Sequence, residues 1–432
     1  MSILTNFRLG LLHVAVAISF VAINGVLNRI MIHDLGILST VVAALVVLPY
    51  LFSPAQVWLG QYSDTHPWQG YRRTPYILVG VLLCLGGTAL TPHAALLMAK
   101  NFPLGFGLGL LAFGSWGVGY NLAVVAYLSL ASDLSSEEHR SRTIAVMWFM
   151  MITSIIITAI TLGRALDPYS PAQLMVVFNV ACLVALLIAV VGLVGLEPRH
   201  KTHPAQSRAS QQAAIRAVLD NPQARLFFCY LVLLLVAILG QDILLEPFGA
   251  YTFGMSVQET TQLTALWGGT TLLALLIYGF GLSRWMTKKS GATFGGVIAT
   301  VGLVLIGLSG SLHAEAIFRP GIGILGFGTG IATTTNLALM LDMTTTEQAG
   351  LFIGAWGVAD ALSRGLGMLL GGTVRDLVAW STGSMSAGYI TVFLIEAGFL
   401  LIALALLRQI DVSHFHSRQP RLVELAALSA DA

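Results

Sequence analysis

The residues that could do chemistry in this 432-residue chain are charged side chains embedded in long apolar runs. Such a charge is costly at the centre of a bilayer unless it is paired or hydrated. Asp242 and Glu246 are four residues apart, and so are Asp360 and Arg364, a spacing that allows an ion pair within one helix. Glu396 lies in another apolar run. These side chains are candidates for proton-coupling carboxylates, for ligand contacts or for structural pairs.

A second group of polar residues lies in the first apolar run. Asn24 and Asn28 are one helical turn apart and share a face, and Arg29 follows near the end of the run. His13 precedes them, and a neutral imidazole can bind magnesium. A hydrogen-bonded or solvated histidine is the more common situation, so His13 is the weakest of these ligand-binding candidates.

Two polar segments have the composition of transporter loops. In GQYSDTHPWQGYRRTP (60–75) a carboxylate can pair with arginines and cap nearby helix ends, which would hold a cytoplasmic gate. The alternative is a charged turn that only sets orientation. SDLSSEEHRSRT (132–143) is either a short interfacial helix or a docking surface. The gate candidates of these two segments are Asp64, Arg72, Arg73, Asp133, Arg140 and Arg142.

The composition indicates that an integral membrane protein positions these residues. Hydrophobic residues make up 56% of the chain and charged residues 10%, whereas soluble proteins have about 25% charged residues. This disfavours a soluble enzyme or a nucleic-acid-binding protein. Spanning a bilayer takes about 20 apolar residues per helix. Twelve such runs predict an all-α protein with twelve transmembrane helices, at 9–32, 37–59, 76–98, 104–131, 144–165, 173–196, 224–248, 262–283, 292–312, 318–341, 350–373 and 385–408.

The runs divide into six and six. We predict an N-terminal bundle (1–196), a cytoplasmic linker (197–222), a C-terminal bundle (223–410) and a cytoplasmic tail (411–432). With both termini in the cytoplasm, 16 lysines and arginines lie on the cytoplasmic side and 5 on the other, as the positive-inside rule requires. AYLSLASDLSSEE (126–138) also resembles NLALMLDMTTTEQ (336–348). Parallel six-helix repeats of this kind predict the major facilitator architecture.

The sequence contains none of the common catalytic motifs that we looked for. The chain has no Walker loop, no dinucleotide fingerprint between a strand and a helix, and no nucleophile elbow. It also lacks the clustered aspartates of a prenyltransferase. We therefore expect no catalytic residues, no metal site and no enzymatic activity.

Several segments together resemble the PucC/LhaA family, also called the bacteriochlorophyll delivery family of the major facilitator superfamily. They are FRLGLLHVAVAISFVAINGVLNRIMIHDLG (7–36), LGQYSDTHPWQGYRRTPYILVG (59–80), YLSLASDLSSEEHRSRTIAVMW (127–148) and GAWGVADALSRGLGMLLGG (354–372). The length looks closer to the subgroup labelled as a bacteriochlorophyll synthase chain. By motif, Asn24, Asn28 and Arg29 belong to the first-span signature of the family, and the gate candidates belong to its loop signatures.

The resemblance implies a role in assembling light-harvesting complexes. The expected cargo is bacteriochlorophyll, and the expected partners are antenna polypeptides and pigment-synthesis enzymes, with no nucleic acid. The expected location is the bacterial inner, intracytoplasmic photosynthetic membrane. Two alternatives stay open: an accessory subunit of bacteriochlorophyll synthesis, and a proton-coupled transporter of a small solute. The candidate carboxylates of such a transporter are Asp242, Glu246, Asp360 and Glu396.

Overall fold

A computed structural model describes residues 3–135, 137–198, 222–342 and 349–410. The structure in these ranges is built from fifteen α-helices. They are α1 (Ile3–Val21), α2 (Ser39–Val46), α3 (Leu48–Leu51), α4 (Ala55–Thr65), α5 (Thr74–Lys100), α6 (Phe102–Leu134), α7 (Glu137–Ala165), α8 (Pro171–Leu193), α9 (Pro222–Leu239), α10 (Leu245–Phe253), α11 (Val257–Phe280), α12 (Lys288–Leu312), α13 (Glu315–Asp342), α14 (Ala349–Thr382) and α15 (Met385–Gln409).

Ten segments among the described residues are long and apolar enough to cross a membrane. They correspond to ten of the twelve predicted spans, and the exceptions are the predicted spans 37–59 and 350–373. The first exception is divided into α2, α3 and α4, with prolines at the starts of α3 and α4. The second lies in α14, which has four charged side chains between positions 360 and 376. Twelve spans and cytoplasmic termini therefore stay predictions.

The long helices run alternately up and down, so each has one end on the side where α1 begins. We call that side of the bundle the near end, and we call the side with the 35–38 connection the far end. Short connections at the far end are set by side-chain caps: the Asn101 side chain accepts from Leu104 N, and the Ser170 side chain accepts from Gln173 N. These caps allow α6 and α8 to begin shortly after α5 and α7 end.

The two halves of the chain share one apolar core. The larger buried cluster joins residues of α1, α2 and α9 to residues of α10 and α15, whereas a smaller cluster lies within the N-terminal half. Across the boundary between the halves, α7 packs on α11, and α2 and α3 pack on α14. The halves are thus in direct contact through these helices.

Two of the long segments are interrupted at this boundary. After α1 the chain continues through π-helical turns at Ala22–Leu27 and Ile30–Asp34, and after α9 it forms a 3-10 turn at Gly240–Ile243. The second interruption packs closely on α14, because a Cβ atom on Gly367 would lie 2.8 Å from the Cα atom of Gly240. Irregular turns inside helices often mark functional positions, and broken helices form the binding sites of many transporters.

Candidate functional site

A single arginine on α14 binds two carboxylates from different segments. Arg364 Nη1 lies 3.2 Å from Asp242 Oδ2, and Arg364 Nε lies 3.1 Å from Asp360 Oδ2. The second contact is the ion pair that the four-residue spacing predicts. The guanidinium also lies 5.7 Å from the ring centroid of Tyr50, and Gln241 Nε2 donates to Asp242 Oδ1 at 3.0 Å. This triad joins α14, the 3-10 turn after α9, and α3.

A further carboxylate, that of Glu246, is buried in the first turn of α10 with only 4% of its surface exposed. Its Oε1 accepts a hydrogen bond from Thr264 Oγ1 at 2.5 Å, and its Oε2 has no partner among the described residues. Gly25 lies beside them, since a Cβ there would be 3.3 Å from Thr264 Oγ1. Glu246 therefore lies where three parts of the chain meet: the π-helical turns after α1, the start of α10 after the 3-10 turn, and α11.

The asparagines of the first run have different partners. Asn28 Nδ2 donates to the Ile243 carbonyl at 2.8 Å and so links the two halves. Asn24 Nδ2 donates to the Phe20 carbonyl of its own helix at 3.1 Å. Both Oδ1 atoms are buried without a partner in the described ranges. Only Asn28 thus contributes a contact between the halves, and both side chains leave an acceptor unused.

Arg29 joins the halves at the far end. Its guanidinium pairs with Asp34, and its Nη2 donates to the Met255 carbonyl at 3.1 Å. Tyr251 adds a hydrogen bond from its hydroxyl to the Ile32 carbonyl at 3.3 Å. The arginine that the sequence places near the end of a span is therefore buried, with 4% of its surface exposed.

Asp376 closes the same end by a route that the sequence analysis missed. Its carboxylate accepts from Thr40 N at 2.8 Å, from Thr40 Oγ1 at 2.7 Å and from Ser39 N at 3.3 Å. A residue of α14 thus caps the start of α2 in the other half of the chain. One signal in the sequence could have indicated such a cap. The helix that starts at Ser39–Thr40 has no acidic residue of its own within the first turn, so its N–H groups need an acceptor from elsewhere.

The neighbouring Arg375 is held by aromatic rings. Its guanidinium carbon lies 4.6 Å from the ring centroid of Tyr389 and 5.5 Å from that of Tyr251, and Nη2 donates to the Tyr389 hydroxyl at 3.1 Å. Nη1 pairs with Asp376 at 2.7 Å. Arg375 therefore orients the carboxylate that caps α2, and both residues belong with the candidate site.

At the near end the two loop segments come together. Arg73 Nε lies 3.1 Å from Asp133 Oδ2, and Arg73 Nη1 donates to Ser63 Oγ at 2.6 Å. The pairing of Arg73 with Asp133 was not foreseen, because the sequence suggests Asp64 as its partner. The side chains of Asp64, Arg140 and Arg142 lie outside the described part of the structure.

Glu197, at the start of the predicted linker, is an unforeseen part of this region. Its two carboxylate oxygens accept from the backbone N–H groups of Arg72, Arg73 and Thr74 at 2.7 to 3.2 Å. Glu197 thus caps the start of α5, and this end of the linker packs on the N-terminal bundle. Residues 199–221 of the predicted linker lie outside the described ranges.

Two remaining candidates lie apart from the Arg364 triad. Glu396 is buried behind the 3-10 turn, and a Cβ on Gly240 would lie 2.8 Å from its Oε1. His13 is buried between Tyr127 and Trp148, at ring distances of 5.2 and 6.0 Å. Neither joins a group of three or more potential metal ligands in the described residues.

This geometry accompanies a match to a known family. The family model described as PUCC protein matches residues 26–415. The chain belongs to the PUCC protein family. The chain is 31% identical over 393 residues to "Protein PucC" of Rhodovulum sulfidophilum, which covers 88% of this chain and 87% of the relative. It is 30% identical over 386 residues to "Bacteriochlorophyll synthase 44.5 kDa chain" of Rhodobacter capsulatus, covering 86% and 87%.

Solved structures show the fold of this PUCC family member. A bacterial homologue of the human lysosomal transporter Spinster, in an inward-facing and unoccupied conformation, superposes with a TM-score of 0.73. The two chains are 14% identical, and the match covers 98% of this chain and 100% of the other. This chain therefore has an all-helical transporter fold of the major facilitator type, as the internal repeat predicts.

Proposed function

We propose that this protein is an assembly factor for light-harvesting complexes in the photosynthetic inner membrane of its host. In this role it holds or delivers bacteriochlorophyll, steadies the antenna polypeptides, or does both, and it catalyses no reaction. The observation that carries the proposal is membership of the PUCC family over most of the chain. The name of one relative, a bacteriochlorophyll synthase chain, connects that family with the pigment.

The arrangement of charges is compatible with a non-enzymatic role. Arg364 offsets the charges of Asp242 and Asp360, and Arg375 is packed on two tyrosine rings. In the described residues these charges serve to connect helices. A scaffold that is fixed in this way can hold a cargo or a partner helix without a reacting group.

The proposal is tested by deleting the gene in the phototrophic host and measuring pigment and antenna complexes separately. We expect the strain to make bacteriochlorophyll but to accumulate fewer antenna complexes, with recovery when the wild-type gene is returned. Normal antenna levels in the deletion strain would exclude the assembly role. Accumulation of unesterified or incompletely reduced pigment would instead support an accessory role in pigment synthesis.

One observation favours a proton-coupled transporter as the second candidate function. Glu246 is buried at a helix interruption between the halves and leaves one carboxylate oxygen unpartnered within the described residues. A transporter would show pH-dependent uptake into proteoliposomes that Glu246→Gln abolishes. Glu315→Gln is the matched control, because Glu315 lies exposed at the far end beside Arg319. Uptake that is unaffected by Glu246→Gln would remove the observation on which this candidate rests.

A further inference from the structure

A large groove lies on the outside of the N-terminal half, away from the boundary between the halves. It runs between α1, α7 and α8 and has a volume of about 660 Å³. Ile18 of α1 lies on its floor, and Val180 of α8, with 54% of its surface exposed, lies on its rim. Because α7 and α8 are apolar helices of membrane-spanning length, the groove faces the bilayer. We call it the lateral groove.

Three hydroxyl groups line the lateral groove without a hydrogen-bond partner in the described structure, those of Thr153, Ser154 and Thr158, and the last two belong to buried residues. Ser154 and Thr158 are one turn apart on α7 and are 8% and 7% exposed. The next hydroxyl on the same face, that of Thr161, donates to the Ile157 and Thr158 carbonyls at 2.9 and 3.1 Å. Bonding back to the preceding turn is the usual way to satisfy a hydroxyl inside a helix. Ser154 and Thr158 keep their donors available, and an unused donor in an apolar environment carries a free-energy cost.

The dimensions of the lateral groove fit a small molecule better than a helix. Small-molecule sites in proteins have volumes of about 300–1,000 Å³. A transmembrane helix is at least 10 Å wide and about 30 Å long, so only part of it would enter. Of the residues that the structure describes, only apolar and hydroxyl side chains line the groove, with no charged residue or histidine among them. Its occupant is therefore an uncharged, largely apolar molecule that carries hydrogen-bond acceptors.

We propose that the lateral groove binds bacteriochlorophyll, an inference that rests on the proposed function and gives it a place in the fold. The keto and ester carbonyls of the pigment accept hydrogen bonds from Ser154 and Thr158, and its hydrocarbon parts pack on the valines of α8. The described part of the groove lining offers the magnesium no imidazole or carboxylate ligand. The pigment is held by apolar contact and two hydrogen bonds, an arrangement that allows its release to an antenna polypeptide.

Two variants test the site by different means. Val180→Trp fills the lateral groove, and Ser154→Ala with Thr158→Val removes both donors while preserving shape. The proteins are purified gently from the host, and extracted bacteriochlorophyll is measured per mole of protein and by titration of pigment-free protein. We expect Val180→Trp to lower bound pigment about tenfold or more. Loss of two hydrogen bonds of about 1 kcal/mol each weakens binding by at least tenfold in the double variant.

Matched controls exist in the other half of the chain. Val297→Trp changes a valine on α12 with 46% of its surface exposed, and Thr334→Val removes a hydroxyl that is bonded to the Gly330 carbonyl at 3.0 Å. Both should bind pigment like the wild type. The double variant keeps its side-chain volumes, so it remains informative if Val180→Trp does not fold.

The outcomes separate the inference from the proposed function. If the wild type binds bacteriochlorophyll and both groove variants bind it equally well, the site is wrong and the carrier function stands. If the wild type binds none, the carrier function fails together with the site. If Val180→Trp retains pigment but no longer co-purifies antenna polypeptides, the lateral groove receives a helix and the inference is overturned. Pigment-free wild type that retains phospholipid in the groove would overturn it as well.

Discussion

At the scale of single residues, Arg364 offsets two carboxylate charges inside the helix bundle. It is the cation that contacts both Asp242 and Asp360, and its own side chain is 22% exposed. Removing one partner of a buried ion pair costs about 3–5 kcal/mol because the remaining charge is left uncompensated. Partial exposure reduces this cost through solvent screening. The triad is therefore a structural requirement before it is a functional one.

We expect Arg364→Met to destabilise the protein by about 2–3 kcal/mol, because two carboxylates lose their cation. The measurement is the midpoint temperature of thermal unfolding in detergent, which is monitored through the loss of monodisperse protein. Arg319→Met is the control, since its pairs with Glu315 and Glu259 are exposed and should contribute less than about 1 kcal/mol. Equal effects of the two changes would contradict the structural role of the triad.

The sequence predicted part of this residue arrangement. The Asp360–Arg364 pair follows from spacing within one helix, so it could be foreseen. The contact of Arg364 with Asp242 depends on how α14 packs against an interrupted segment, which spacing does not reveal. The sequence predicts that Asn24 and Asn28 share one face of an α-helix, but the π-helical turns give this part of the chain wider turns than an α-helix. Asn28 consequently reaches Ile243, and Asn24 bonds within its own helix.

At the scale of helices, two helix starts are capped by carboxylates from distant parts of the chain. Asp376 caps α2 and Glu197 caps α5. The first N–H groups of a helix have no partner within it, and a carboxylate satisfies them and interacts favourably with the helix dipole. Each cap therefore fixes the position of one helix relative to another segment.

We expect Asp376→Ala to destabilise the protein by about 1–2 kcal/mol and to loosen the start of α2. A cysteine introduced at Ser39, which is fully buried, reports this loosening through its rate of maleimide labelling. The rate should rise in the alanine variant. Asp376→Asn should label at a rate between those of the parent and the alanine variant, because asparagine keeps one of the two acceptor oxygens and replaces the other with a donor. Identical labelling of the alanine variant and the parent would exclude the cap.

We expect Glu197→Ala to lower the free energy of unfolding by about 1–2 kcal/mol through loss of the α5 cap. Glu259→Ala serves as the comparison, because Glu259 belongs to an exposed capping box at the start of α11 and should cost less. Thermal unfolding of the purified variants measures both. A smaller effect at Glu197 than at Glu259 would count against this role.

Hydropathy located most helices but not these caps. Ten of the predicted spans correspond to segments of the described residues that are long and apolar enough to cross a membrane, because each apolar run must satisfy its backbone polar groups within a helix. A cap formed by one side chain 125 positions away from its partner leaves no periodic signal, so Glu197 was read as the start of the linker. Likewise Pro49 and Pro54 divide the second predicted span into short helices, although its hydropathy is continuous.

At the scale of the whole molecule, the halves are held together at the far end by several independent contacts. Asn28 donates to the Ile243 carbonyl, Arg29 donates to the Met255 carbonyl, and Asp376 binds the start of α2. The buried apolar cluster also includes residues of both halves. The six-plus-six division that hydropathy and the repeat indicate stays a prediction. The far-end location of these contacts could not be predicted from the sequence, because it depends on pairing between distant side chains.

We expect residues 1–198 and 222–432 to assemble when they are expressed as two separate chains, since these contacts do not need a covalent connection. An affinity tag on one half should recover the other half from detergent extracts. Combining Asn28→Ala with Asp376→Ala should reduce that recovery several-fold. Thr334→Val, which affects a hydroxyl bonded within α13, should leave it unchanged. Halves that never co-purify would show that the far-end contacts are too weak to join them.

The position of Asp376 along α14 has a mechanical consequence. Its carboxylate binds the start of α2 close to one end of α14, and α14 is a long, rigid helix. Ala349, at the opposite end of α14, is 27 residues away from Asp376, which corresponds to a lever of about 40 Å. A tilt of about 10° around a pivot at Asp376 would carry the opposite end of α14 through about 7 Å, while the amide contacts of Ser39 and Thr40 barely lengthen. One capping bond at the fulcrum can therefore persist through a displacement large enough to change access at the other end of the bundle.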